Sequence, residues 1–135
     1  LQREVADRLV ARPGTKDYGV LTVVLSRLAT IAKVLDLPPG AFKPPPKVRS
    51  AVVQLRFGPP SVKVADEPLF ERMVKAAFGQ RRKTLANALK SFDATAPAVL
   101  ALAGLDGQRR PETLTVAEFG RLADLFASVR QPRML

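Results

Sequence analysis

Two groups of side chains in this sequence have the types and spacing to do chemistry. Phe42 sits alone in a proline-dense loop, flanked by Lys43 and Lys47. An aromatic face gives a nucleobase a stacking platform, and the two ammonium groups give its phosphates counter-charge, so the arrangement suits base stacking. The second group is Arg81-Arg82-Lys83, the densest run of cations in the chain. Cations are disfavoured beside a helix N-terminus, where the dipole is positive, so three of them there imply another demand, which a phosphate backbone would supply. Each group also has a plainer reading. An isolated Phe is commonly a core residue, here one that would cap a sheet, and a run of charge is commonly a solvated face. Arg109-Arg110 is a weaker copy in a loop and reads as surface.

Composition narrows the chemistry further. The chain holds no Cys and no His, which excludes disulfide frameworks, zinc ribbons, thiol nucleophiles and the usual general base. No glycine-rich phosphate cradle and no carboxylate pair at catalytic spacing stands out. Lys plus Arg number 22 against 12 Asp plus Glu, a net charge of +10 and a pI near 10.9. That balance favours a polyanionic partner, either nucleic acid or an acidic membrane surface. At 135 residues, 47% apolar and 25% charged, the chain is about one domain and can bury a core. No apolar run reaches the roughly 18 residues of a membrane span and no signal peptide is visible, so a cytoplasmic location is expected. The chain begins with Leu1 rather than Met, as a piece of a longer protein would.

The elements that must position these residues are readable from periodicity. Residues 1–12 carry Leu1, Val5 and Leu9 at four-residue intervals and stop at Pro13-Gly14, a short amphipathic helix with Glu4 and Arg8 paired on its outer face. A polar loop ending at Tyr18 follows. Residues 20–29 place Leu21, Val24, Leu25 and Leu28 at helical spacing, although Val and Thr favour strand. Residues 30–37 read as a strand closed by Pro38-Pro39. The loop then carries Pro44, Pro45 and Pro46, which fix φ and remove backbone donors. From Ala51 the pattern alternates, with Ala51, Val53, Leu55 and Phe57 on one face, the clearest strand in the chain, and it is expected to pair antiparallel with its predecessor.

Gly58-Pro59-Pro60 closes this half, and a boundary is expected at about 58–66. Everything beyond reads as helix. Asp66-Glu67-Pro68 opens one with Phe70, Val74, Ala77 and Phe78 buried, and Gly79 breaks it before a second stripe of Leu85, Leu89 and Phe92. Residues 96–103 form a short apolar helix, capped by Thr95 and ended by Gly104 in a Schellman turn with Leu105. Thr115 and Glu118 have the spacing of a capping box, and Val116, Phe119, Leu122, Ala123, Phe126 and Val129 trace the face of the last helix.

These motifs together resemble a known family. LQREVADRLVARPGTKDYGVL, LPPGAFKPPPKVRSAVVQL and AAFGQRRKTLANAL, in that order, resemble the rRNA adenine N6,N6-dimethyltransferases of the KsgA type, and RRPETLTVAEFGRL is similar to that family's C-terminal helix. The erythromycin-resistance methylases of 23S rRNA share the loop around Phe42, whereas QRRKTL points to the small-subunit enzymes. Mitochondrial transcription-factor relatives are more remote.

The resemblance implies an α/β remnant plus an all-α part. Residues 1–57 would be the C-terminal part of a Rossmann-like S-adenosylmethionine-dependent methyltransferase domain, 58–65 a linker, and 66–135 a helical domain that binds rRNA. The family's glycine-rich cofactor loop, acidic ribose-binding residue and Asn-Leu-Pro-Tyr motif would lie upstream of Leu1. The parent would then be the enzyme and this piece alone inactive, with the cofactor bound by the missing part, no cofactor ligand in this chain and no metal. Phe42 matches the aromatic that stacks on the flipped target adenine. Arg81, Arg82 and Lys83 match the family's rRNA-gripping helix and Arg3 a basic residue after the catalytic strand, while Lys43 and Lys47 are RNA-binding candidates from their place in the Phe42 loop alone.

The implied partner is small-subunit rRNA or the small ribosomal subunit, with no membrane. The implied product is dimethylated N6 on adjacent adenines of a hairpin near the rRNA 3′ end. Arg49 stands where the family usually has Asp, Ala86 where Arg often follows QRRKTL, and Ala117 where Glu is frequent. Three alternatives stay open: a non-catalytic RNA-binding or ribosome-assembly module with the same helical domain, a proline-loop adaptor using KPPPK, and a non-native dimer through an exposed sheet edge.

Overall fold

The computed structural model describes residues 1–44, 47–80 and 82–130. It is a mixed α/β chain with one small sheet and, among the described residues, six α-helices. Two compact units divide it, Leu1–Ser61 and a second beginning at Val62.

The first unit contains α1 (Arg3–Leu9), α2 (Val20–Leu28), β1 (Ala29–Leu37), a 3-10 turn at Pro39–Ala41 and β2 (Ser50–Phe57). The two strands pair antiparallel from Ala29 opposite Phe57 to Leu37 opposite Ser50, with one irregularity between Lys33 and Leu35. The helix reading of 20–29 holds, but the buried face differs from the one its periodicity picks out. Thr22, Val23 and Arg27 are buried, while Leu21 is exposed and Val24, Leu25 and Leu28 only half-buried. The Thr22 hydroxyl explains the turn of the helix: it donates to the Arg8 carbonyl of α1 and accepts from the Gly19 N–H at 3.2 Å. Two strands are also too narrow to cover a full leucine stripe. Tyr18, placed by sequence at the end of a polar loop, is buried at 1% exposure.

α1 is shorter than its periodicity suggests, because Leu1 and Gln2 are used otherwise. Gln2 bridges Ser50 antiparallel, and Ala51 N–H donates to the Leu1 carbonyl at 2.7 Å. Ser50 therefore has Leu37 on one side and Gln2 on the other, so this end of β2 has neighbours on both edges. Packing fades along the strand. Ala51 is buried and Val53 half-buried, whereas Leu55 and Phe57 on the same face are 39% and 69% exposed. A predicted buried face is thus buried only where α1 and the Leu1 segment cover it.

The second unit contains α3 (Glu67–Phe78), α4 (Leu85–Lys90), α5 (Ala96–Ala103), a 3-10 turn at Pro111–Thr113 and α6 (Val116–Arg130). The Asp66 carboxylate accepts from Leu69 N–H at 3.1 Å and starts α3, with Pro68 in the first turn where its missing donor costs nothing. Phe70, Phe119 and Phe126 form the centre of the core with Leu85, Leu89 and Leu122. α5 ends in a complete Schellman turn: Gly104 has φ of 68°, its N–H reaches the Ala101 carbonyl at 3.1 Å, and Leu105 N–H reaches Leu100 at 3.1 Å. Thr95 does not cap α5. Its hydroxyl and N–H both donate to Asp93, at 2.7 and 2.8 Å, which leaves no side-chain cap for the helix.

The capping box of α6 is formed in both directions. Thr115 N–H donates to Glu118 at 3.0 Å, and Glu118 N–H donates to the Thr115 hydroxyl at 3.1 Å. Val129 leaves the predicted buried face and is 45% exposed, while Ala127 and Gly120 join it. Gly120 has a packing reason, since an added Cβ would fall on Val62 Cγ1. Among the described residues no helix is long and apolar enough to cross a membrane.

Candidate nucleic-acid interface

The loop between β1 and β2 leaves the sheet at Leu37, makes the 3-10 turn and returns at Ser50. Phe42 ends that turn, its N–H donating to the Pro39 carbonyl at 3.3 Å. Pro38 and Pro39 fix φ on the approach, so the backbone holding Phe42 is stiff. Phe42 is 39% exposed, which sets it apart from the unit's core. Lys43 and Lys47, which both follow Phe42 in the chain, are exposed, and Pro45 and Pro46 lie outside the described residues. An exposed ring on a stiff turn with two exposed cations beside it can stack on a base and hold the adjoining phosphates.

Arg3 opens α1 and is tied to the same loop's return. Its N–H donates to the Arg49 carbonyl at 2.8 Å. Its guanidinium lies 3.7 Å from Asp7, whose other oxygen takes Lys33 at 3.3 Å. Glu4 is held by Arg8 at 2.9 Å, as its spacing predicts. Gln2, Arg3, Glu4, Asp7, Asp17, Val48 and Arg49 line a recess of about 300 Å³. The structure thus joins Arg3 to the far end of the Phe42 loop, a link the sequence does not reveal.

Of the cationic run in the second unit, Arg81 lies outside the described residues, and Arg82 and Lys83 are exposed in the turn before α4. Lys83 N–H donates to the Gln80 carbonyl at 2.9 Å, and Thr84 then caps the helix by accepting from Asn87 N–H at 3.4 Å. The dipole argument from the sequence needs correction here. Leu85 and Ala86 donate to the carbonyls of Arg109 at 2.7 Å and Gly107 at 2.9 Å. Those oxygens offset the positive end of α4, so cations before the cap meet less opposition than an open helix end would give. What the structure leaves to recommend Arg82 and Lys83 as a polyanion contact is their exposure and charge, not the dipole. Gly107 permits the approach, since a Cβ there would stand 2.9 Å from the Ala86 Cβ.

Arg109 is not the surface residue its loop position suggests. Its guanidinium grips Glu118 at 2.7 and 3.2 Å and donates to the Thr113 carbonyl at 2.7 Å. The Arg109 hydrogen bond pulls the Glu118 carboxyl below its ordinary value, with Thr115 adding to it, and Glu118 in turn raises Arg109. A cation held this way structures the loop that carries the Gly107 and Arg109 carbonyls. Nothing in the dipeptide Arg109-Arg110 marks this, although the capping-box Glu118 nine residues on was a partner within reach.

The sequence model of the family described as Ribosomal RNA adenine dimethylase matches residues 1–128. A protein of Anaeromyxobacter sp. (strain K) named Ribosomal RNA small subunit methyltransferase A is 56% identical over 126 residues, 90% of this chain and 44% of that protein. Its namesake in Syntrophotalea carbinolica is 50% identical over 130 residues, 93% of this chain and 49% of the other. Among solved structures, a dimethyladenosine transferase from Plasmodium falciparum has a TM-score of 0.69 at 21% identity, covering 90% of this chain and 53% of that one. The 23S rRNA methyltransferase ErmE has a TM-score of 0.58 at 27% identity, covering 93% and 52%. The chain spans about half the length of the relatives it matches. With the family match running from the first residue to the end of the last helix but two residues, this chain belongs to the ribosomal RNA adenine dimethylase family.

Proposed function

We propose that this chain is the carboxy-terminal part of an enzyme that dimethylates N6 of adjacent adenines in a small-subunit rRNA hairpin near its 3′ end, in the cytoplasm. The observation that carries this reading is the family match over residues 1–128, with relatives named for the small subunit at 50% identity and above. Residues 1–57 would then be the last part of the Rossmann-like domain, and the helices from 66 onward a domain that holds rRNA. In this reading Phe42 stacks on an adenine flipped out of its helix, for which the exposed ring on a stiff turn is suited. Lys43, Lys47 and Arg3 hold the adjoining backbone, and Arg82 and Lys83 grip phosphates of the hairpin, joined by Arg81.

The family's chemistry implies S-adenosylmethionine as methyl donor. The described residues do not fit that group: β1 runs into a proline turn and β2 into Gly58-Pro59-Pro60, and neither strand opens onto a glycine-lined helix start that would receive it. The cofactor is therefore assigned to residues of the parent preceding this chain, and what this chain does is bind and orient RNA.

The test is calorimetry of the 135-residue chain with two ligands. A small-subunit rRNA hairpin carrying adjacent unpaired adenines should bind with salt-sensitive affinity, and S-adenosylmethionine should give no binding heat. Tight binding of the cofactor would overturn the assignment of its site, and failure to bind the hairpin at low salt would overturn the RNA reading.

A further inference from the structure

The recess beside Arg3 has a composition the phosphate-holding role does not use. Three carboxylates and two guanidiniums line it, with the Gln2 amide and the Val48 side chain. Two of the carboxylates already have cations, Glu4 with Arg8 at 2.9 Å and Asp7 with Lys33 at 3.3 Å. The remaining acid, Asp17, and Arg49 share the recess, yet among the described residues neither forms an ion pair, with the other or elsewhere. Opposite charges kept apart across a gap leave room for a group that offers an acceptor to one and donors to the other. A bare phosphate offers nothing to the carboxylate and would be repelled by it.

We propose that this recess is a second base site, which takes an unpaired guanine. Guanine presents O6 and N7 acceptors, which a guanidinium reads in bidentate fashion, and N1–H and 2-amino donors, which a carboxylate accepts. Arg49 supplies the first and Asp17 the second, with Val48 against the ring. Adenine offers neither the O6 acceptor nor the N1–H donor. Recognition of splayed bases by their edges and by arginine planes is the usual way proteins read single-stranded RNA. The Arg3 N–H bond to the Arg49 carbonyl holds the main chain of the reading residue in place. Val48 and Arg49 end the loop that carries Phe42, so the guanine would be a base of the same RNA whose adenine stacks on Phe42. The inference rests on the RNA-binding reading above.

The test is NMR titration of the 135-residue chain with the mononucleotides GMP, IMP and AMP and with inorganic phosphate. GMP should shift the amides of Asp17, Val48 and Arg49 and bind about tenfold or more tightly than AMP, the discrimination of one good bidentate contact. IMP, which lacks the 2-amino group, should fall between them. Arg49→Ala keeps the main-chain carbonyl and should weaken GMP and IMP alike, whereas Asp17→Asn should erase the difference between them. The amide spectra of both variants away from the recess report that each is folded. Equal shifts from GMP and AMP, or the same shifts from phosphate alone, would overturn the guanine site. These titrations contain no hairpin, so their failure leaves the hairpin-binding result, and with it the proposed function, to stand or fall separately.

Discussion

Asp93 gives a quantitative handle on the helical unit. Its carboxylate accepts the Thr95 N–H at 2.8 Å, the Thr95 hydroxyl at 2.7 Å and the Arg130 Nε at 2.7 Å. Arg130 also lies over the Phe92 ring at 4.8 Å, and Phe92 meets Phe126 edge-on at 5.2 Å. One acid thus joins the turn before α5 to the end of α6. The Thr95 N–H, then its hydroxyl, then Arg130 draw the Asp93 carboxyl from 3.8 down to about 2. The folded state therefore prefers the charged form. This contribution is fully present above the unfolded value and is lost as pH falls through the folded one. Drawing the carboxyl from 3.8 to about 2 corresponds to about 2 kcal/mol. Asp93 is 13% exposed but Arg130 is 38% exposed, so solvent screens part of the pair and about 2 kcal/mol is the upper end of the contribution.

Asp93→Asn should destabilise the unit at neutral pH and remove that pH dependence. In urea titrations followed by far-UV circular dichroism, the stability gap between wild type and variant should shrink by up to about 2 kcal/mol between about pH 5 and about pH 2. Glu118 is also drawn down, by Arg109, and loses its contribution in acid too. Taking the difference between the two proteins removes its effect, and the same measurement in a Glu118→Gln background should give the same gap. Parallel pH profiles for wild type and Asp93→Asn would refute the argument.

Other outcomes follow from the same geometry. Arg82→Ala with Lys83→Ala should leave the fold intact and lower the salt slope of RNA binding by about one per lost phosphate contact, read from affinities at several salt concentrations. Phe42→Ala should leave stability nearly unchanged and weaken hairpin binding by about 1–3 kcal/mol, whereas Phe70→Ala, at the centre of the core, should cost about 3–5 kcal/mol of stability. Thr115→Ala removes half of the α6 capping box and should cost about 1 kcal/mol in a denaturant titration. Gly120→Ala forces a Cβ onto Val62 and should destabilise by about 1–3 kcal/mol, seen as a lower melting temperature.

The local grammar of this chain was legible because it is set by neighbours in sequence. The Asp66 start of α3, the Gly104 ending of α5, the Thr115–Glu118 box and the antiparallel pairing of the two strands depend on residues a few positions apart or on a simple alternation. Phe42 was likewise visible as an aromatic on a stiff proline loop, but whether its ring lay in the core or in solvent was not, and the structure leaves it 39% exposed. Which faces are buried was another matter. The leucine stripe of α2 gave way to Thr22 and Val23 because a hydroxyl found the Arg8 carbonyl, and the apolar face of β2 is covered only near Ala51. The role of Arg109 and the recess that joins Arg3 and Asp17 to Arg49 depend on segments that meet only after folding. Sequence determined the elements, through short-range sterics, and its net charge favoured a polyanionic partner without choosing among them. Tertiary structure decided which side chains share a site, because burial and ion pairing are settled by whatever the fold brings alongside.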